Sequence, residues 1–144
     1  MHTPDTDQRT PLGFEVSLPL AFEAAGDATR TALKVEGFGV LTEIDLQAAF
    51  KEKLGKDFRR YTILGACNPP MAFAAVSSDP SVGLLLPCNV TVEEAAPGQS
   101  IVRLIDPLAL LGSAAGGLSP AIHDVANDAH ARIPRVAAAL QRLA

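Results

Sequence analysis

A chain of 144 residues, 48% of them apolar and 19% charged, is long enough and apolar enough to bury one core, which excludes a disordered chain. A formal net charge of −4 without any basic block argues against a nucleic-acid footprint. No apolar run approaches the roughly 20 residues that span a bilayer, and Met1-His2-Thr3-Pro4-Asp5 has neither the basic start nor the apolar core of a secretory signal, so no membrane partner and a cytoplasmic location are expected.

Residues 1–12 are polar and carry Pro4 and Pro11, which reads as a flexible N-terminal tail; residues 13–144 read as a single α+β domain. Phe14, Val16 and Leu18 alternate with Glu15 and Ser17, the pattern of a half-buried strand from Phe14 to Leu20. Ala21 to Glu36 reads as a helix with Phe22, Ala25, Thr29 and Leu33 on one face, stopped by Gly37. Phe38 to Ile44 is a second strand. Asp45 is a good N-cap for a helix over Leu46 to Leu54, ended by Gly55.

Arg60 to Ala66 is a third strand. Pro69 and Pro70 suit the first turn of a helix reaching about Ser78, and Asp79-Pro80 breaks it. Gly83 to Glu94 and Ser100 to Ile105 read as the last two strands, joined by the hairpin chemistry of Ala96-Pro97-Gly98-Gln99. Gly112 to Gly117 reads as a loop. Ser119-Pro120 then opens a final helix whose apolar residues Ile122, Val125, Ala129, Ile133, Val136 and Leu140 recur at helical spacing, with Pro134 expected to kink it. The order β-α-β-α-β-α-β-β-α, with one hairpin, predicts a mixed or antiparallel five-stranded sheet packed with helices.

Chemistry concentrates at two similar sites, Ala66-Cys67-Asn68-Pro69-Pro70 and Pro87-Cys88-Asn89-Val90, which hold both cysteines of the chain. In a cytoplasmic chain two thiols are expected to stay reduced. Cys67 stands just before a helix start, where unpaired N–H groups favour an anion and a lowered thiol pKa. Cys88, in an apolar run, is expected to shift the other way. Two thiols without a neighbouring histidine fall short of a zinc site, and either cysteine can simply pack as a small hydrophobe. Asn68 and Asn89 can orient a ligand or cap turns.

Other polar residues are weaker signals. His123, Asn127 and His130 share one face of the last helix; this is a metal site only if Asp124 or a second subunit completes it, and otherwise a solvated face. Asp106, before Pro107, reads as turn chemistry, and Glu93 and Glu94 read as solvated. No phosphate-binding glycine motif is present.

The blocks Gly37-Phe38-Gly39-Val40-Leu41-Thr42-Glu43-Ile44-Asp45, Tyr61 to Pro70, Gly83 to Val90 and Ile105-Asp106-Pro107 resemble the domain of unknown function 302 family, over about Phe14 to Leu143. The resemblance implies a small bacterial and archaeal α+β domain, similar to ones that form homodimers. It implies no catalytic activity and identifies no cofactor. Its cysteine blocks map onto Cys67, Asn68, Cys88 and Asn89.

The leading expectation is therefore a domain that binds a small molecule, a soft metal or a sulfur species near these four residues. One alternative is a thiol-dependent redox or sulfur-transfer enzyme in which Cys67 attacks and Cys88 resolves. The other is a structural or interaction module whose cysteines only pack.

Overall fold

A computed structural model describes residues 8–111 and 118–144 of the protein. The first seven residues of the expected tail, and the loop expected at 112–117, lie outside the described residues. The elements are β1 (Arg9–Thr10), β2 (Gly13–Leu18), α1 (Phe22–Val35), β3 (Gly39–Asp45), α2 (Leu46–Leu54), β4 (Tyr61–Cys67), α3 (Pro69–Ser78), a 3-10 helix (Pro80–Leu85), β5 (Cys88–Ala96), β6 (Gln99–Ile105), α4 (Pro107–Leu111) and α5 (Pro120–Gln141).

The architecture is α+β, with one antiparallel sheet in the order β1-β2-β6-β5-β4-β3. The sheet has six strands rather than the five expected. The extra one, β1, falls in the stretch read as tail. Two residues are too short for any periodicity, and long-range contacts hold them: the Arg9 guanidinium lies 4.7 Å from the centre of the Phe14 ring, and its Nη1 is 3.6 Å from Asp106.

The element order also departs from expectation after α3. Gly83 to Leu85, read as the start of a strand running to Glu94, belong to a 3-10 helix over Pro80–Leu85, and the strand begins only at Cys88. Asp79 explains the difference. Its Oδ1 accepts from the Ser81 N–H at 3.0 Å, and Pro80 sits at the first helical position. Its Oδ2 accepts from Ser119 Oγ at 2.5 Å, tying this turn to the N-cap of α5. Val82 is then buried while Leu84 faces out, 89% exposed. The hairpin is as expected, with Gly98 at φ +73° between Ala96 and Gln99.

Helices α1 and α5 cover one face of the sheet. Their Leu33, Ile133, Val136 and Leu140 join Phe14, Val16, Leu18, Val90, Val92 and Leu104 from the strands in the main core. A second, smaller cluster joins Ala75 of α3, Val82, and Ala121, Ile122, Val125 and Ala126 from the first half of α5. Helix α5, continuous through Pro134, serves both. Helix α2 buries none of its residues, and its Phe50 packs edge to face on Phe58 with ring centres 5.3 Å apart.

Candidate functional site at the two Cys-Asn blocks

Two neighbouring strand ends bring the cysteine blocks together. In the β4–β5 register Ala66 stands opposite Cys88, and in the β3–β4 register Cys67 stands opposite Gly39. The thiols are therefore close neighbours without being cross-strand partners. Both are free and buried. Together with Asn68 they line a cavity of about 20 Å³ whose other walls include Phe38, Met71 and Ala129.

The chain path here depends on a close approach. A Cβ on Gly65 would collide with Thr42 Oγ1 and would lie 2.6 Å from Pro87 Cγ. Glycine thus lets Pro87, whose peptide bond with Leu86 is cis, lie against β4 and set the entry of Cys88 into the sheet.

Cys88 also borders a second and larger space. A pocket of about 170 Å³ is lined by Leu85, Pro87, Cys88, Asn89, Ile105, Pro107, Val125 and Ala126. Its walls are mainly apolar, and Asn89 is the exposed polar group among them. The structure thus groups Cys67, Asn68 and Cys88 on one cavity, and Cys88 with Asn89 on the other. A shallower groove of about 540 Å³ on the sheet shares Asn89 and contains Tyr61, Thr91 and Arg103.

The electrostatics overturn one expectation. Burial pushes the Cys67 thiol up, not down. Desolvation at this strand end outweighs the pull of the α3 N-terminus. Burial also raises Cys88, to about 11, with the neighbouring Cys67 adding to the effect. Asn68 turns its oxygen to the Met71 N–H at 3.2 Å, so it caps α3. Among the described residues no three His, Cys, Asp or Glu side chains come together as a metal cluster, and no helix is long and apolar enough to cross a membrane.

Sequence reasoning missed two polar centres. Asp106 does make turn chemistry, accepting from the Leu108 N–H at 3.1 Å. It is also a buried carboxylate that holds His130 Nδ1 at 3.0 Å from each oxygen. His130 is therefore anchored to the end of β6 rather than free on a solvated helix face. Glu93, expected to be solvated, is buried and bonded to Arg59 and to Arg103 Nη1, the latter at 2.6 Å. Only the Asp106-Pro107 step hinted at the first centre; the alternation of β5 puts Glu93 beside Arg103, but nothing local names the pair.

The chain matches the profile of a family described as "Domain of unknown function DUF302" over residues 14–140. It is also similar to a crystal structure of the uncharacterized conserved protein DUF302 from Bacillus stearothermophilus. Sequence identity is 30%, the match covers 91% of this chain and 97% of that chain, and the TM-score is 0.71. No curated protein matches the chain.

Proposed function

The chain belongs to the domain of unknown function DUF302 family, a premise that assigns no reaction, and we propose that it is a binding domain for a small, largely apolar molecule seated against Cys88. The observation that carries this reading is the pocket of about 170 Å³ bounded by Cys88, Asn89, Pro87, Val125 and Ala126. Apolar cavities of about 150 Å³ take up benzene, so the pocket suits a ligand body of that size. A neutral, polarizable thiol is a good apolar wall, and Asn89 at the rim can meet a polar substituent. Cys67 and Asn68 build the adjoining wall.

A soft metal or a sulfur electrophile would need a thiolate. Burial opposes the thiolate at both cysteines, which puts the small molecule ahead of those ligands and ahead of the thiol-enzyme alternative. Toluene is the probe. Titrated into ¹⁵N-labelled protein, it is expected to shift the amides of Cys88, Asn89, Val125 and Ala126 together, and Ala126→Phe, which fills the space, is expected to abolish the response. Shifts scattered over the molecule, or unchanged in a folded Ala126→Phe variant, would overturn the reading.

The interaction-module alternative, and with it a homodimer, has one observation in its favour. Helix α3 is apolar around most of its circumference yet buries only Ala75, and Phe73, 77% exposed, stands out with Val76 and Leu84. Apolar patches of this kind mark interaction surfaces, whereas the apolar stripe of α5 is consumed by its own core. Light scattering after size exclusion is expected to give twice the chain mass for the native protein and a smaller mass for Phe73→Ser/Leu84→Ser. A native monomer would remove the dimer.

A further inference from the structure

We propose that a separate cleft, between α1 and the β3–β4 side of the sheet, binds a small primary ammonium compound whose charged head is held by Asp27 and Thr62. The cleft has a volume of about 230 Å³, room for a short-chain amine. Thr62 and Cys67 lie toward opposite ends of β4, about 16 Å apart at the usual strand rise. This site therefore does not depend on what the Cys88 pocket holds.

One wall of the cleft is a stripe of α1. Glu23, Gly26, Asp27 and Arg30 recur at spacings of three and four, so they share a side of the helix, and all four line the cleft. The other wall is sheet. Glu43 stands opposite Leu64 in the β3–β4 register, and Thr62, two residues before Leu64, shares that face. Arg60 closes one end, its guanidinium 4.3 Å from the centre of the Phe22 ring.

Three observations point to a ligand and to its charge. The first is Thr62. It is 7% exposed and lines the cleft, yet among the described residues its hydroxyl has no hydrogen-bond partner. Burying a hydroxyl without a partner is unfavourable, and valine fills the position across from it at Val92. A ligand that bonds the hydroxyl removes that cost.

The second is Gly26. A glycine inside a helix costs stability relative to alanine. Packing does not require one here, because a Cβ at Gly26 would meet nothing within 4 Å. What the missing side chain does is keep the wall of the cleft open.

The third is the charge balance. Three carboxylates share the cleft with two guanidiniums, and each guanidinium is already turned to a glutamate: Arg30 Nη2 lies 2.8 Å from Glu43, and Arg60 Nη1 bonds to Glu23. Asp27 is the carboxylate left over, and among the described residues it has no hydrogen bond or ion pair. One negative charge is unmatched, which favours a cationic ligand over an anion or a neutral molecule. An ammonium brings three N–H donors. One suits the Asp27 carboxylate, one suits the Thr62 oxygen, and the third remains for water at the open side. A short alkyl chain can then lie against Phe22 and Leu64.

The test uses n-butylammonium, with n-butanol as its neutral counterpart and butyrate as its anionic one, titrated at fixed ionic strength into the ¹⁵N-labelled full chain. Butylammonium is expected to shift the amides of Gly26, Asp27 and Thr62 together and to bind about tenfold or more tighter than butanol, as one hydrogen bond to a charged group predicts. Butyrate is expected to bind more weakly still. Asp27→Asn is expected to remove the preference for butylammonium over butanol.

Two further variants separate binding from folding. Thr62→Val deletes a hydroxyl that has no protein partner, so it is expected to unfold at a urea midpoint no lower than the native protein while binding butylammonium about tenfold more weakly. Gly26→Leu is expected to raise the midpoint, because leucine is the better helix former, and to abolish binding by filling the cleft. The proposal is overturned if butylammonium does not bind, if it shifts amides outside the cleft, or if butyrate binds as tightly. It is overturned equally if a folded Gly26→Leu variant binds as the native protein does, or if Thr62→Val loses stability and keeps its affinity. None of these outcomes bears on toluene at the Cys88 pocket.

Discussion

At Cys88 the fold holds a thiol where its ionised form is disfavoured. Its pKa rises from an ordinary 9.0 to about 11, so the folded state keeps a proton that the unfolded chain gives up. Stability is then full below about pH 9 and falls as pH rises toward 11. At about 1.4 kcal/mol per unit, the loss is roughly 3 kcal/mol. Urea unfolding at pH 7 and pH 10.5 checks this by difference: the fall is expected to be smaller in Cys88→Ala, and equal falls would show that this thiol is not held neutral by burial. Glu93 shows the opposite sign. Burial raises its pKa, but Arg103 and Arg59 outweigh burial and hold the carboxyl below its usual range. Its contribution is full above the ordinary carboxylate pKa and is lost as pH falls through the folded value. Glu93→Gln is expected to flatten the acid limb of the stability curve, read from the same urea midpoints between pH 6 and pH 3.

Helix α3 shows what a local signal is worth when it has a mechanism. The Asn68 oxygen caps the Met71 N–H and Pro69 opens the helix, so Asn68→Ala is expected to cost about 1 kcal/mol. Thermal unfolding measures that loss, while toluene affinity stays unchanged if capping is the whole of its role. The Asp45 and Ser119 caps, and the hairpin at Gly98, were legible in the sequence for the same reason: each is a short-range bond or a backbone angle that one residue type supplies. The 3-10 turn was not legible. The run Val82 to Leu86 is apolar enough for a strand, and what decides against it is Asp79 bonded to Ser119, forty positions away. Strand β1 depends in the same way on Phe14 and Asp106. At the site, the sequence picked out the blocks that meet, because both cysteines sit at ends of paired strands. It misjudged the Cys67 shift because burial cannot be read from a helix start. It missed Asp106–His130 because β6 and α5 meet only in the folded chain. Leu84 separates the two descriptions of the run. A strand would alternate burial along it, whereas here Val82→Ala is expected to cost about 1–3 kcal/mol and Leu84→Ser less than about 0.5 kcal/mol in the monomeric protein, measured by urea unfolding.

Across the whole molecule the pocket coincides with a seam. Cys88 belongs to the main core and Ile105 packs against it, while Val125 and Ala126 belong to the second cluster with Leu85 packed on them. The smaller cavity next door is bounded in the same way, by Phe38, Cys88 and Ala129 from one side and Met71, Leu86 and Val125 from the other. Among the described residues only α5 runs through both clusters, its first half in one and its second half in the other. The sheet cluster contains the large buried side chains and the long ladders of β2, β4, β5 and β6. The second cluster is built largely of alanine and valine around a 3-10 turn whose Leu84 lies in solvent. Less apolar burial means a lower free energy of local opening. The α3 and 3-10 segment is therefore expected to open as a unit below the global unfolding free energy, parting at the Cys88 pocket. Amide hydrogen exchange is expected to show Ala72 to Leu85 exchanging faster than β5 and β6. Saturating toluene is expected to slow that segment most, because the ligand bridges the two sides. Alkylation of Cys88 by iodoacetamide should slow in parallel, since the bound toluene lies against the thiol that lines the pocket. If α3 exchanged as slowly as the central strands, or toluene protected the sheet and left α3 unchanged, the two clusters would be one cooperative unit and the pocket a fixed cavity within it.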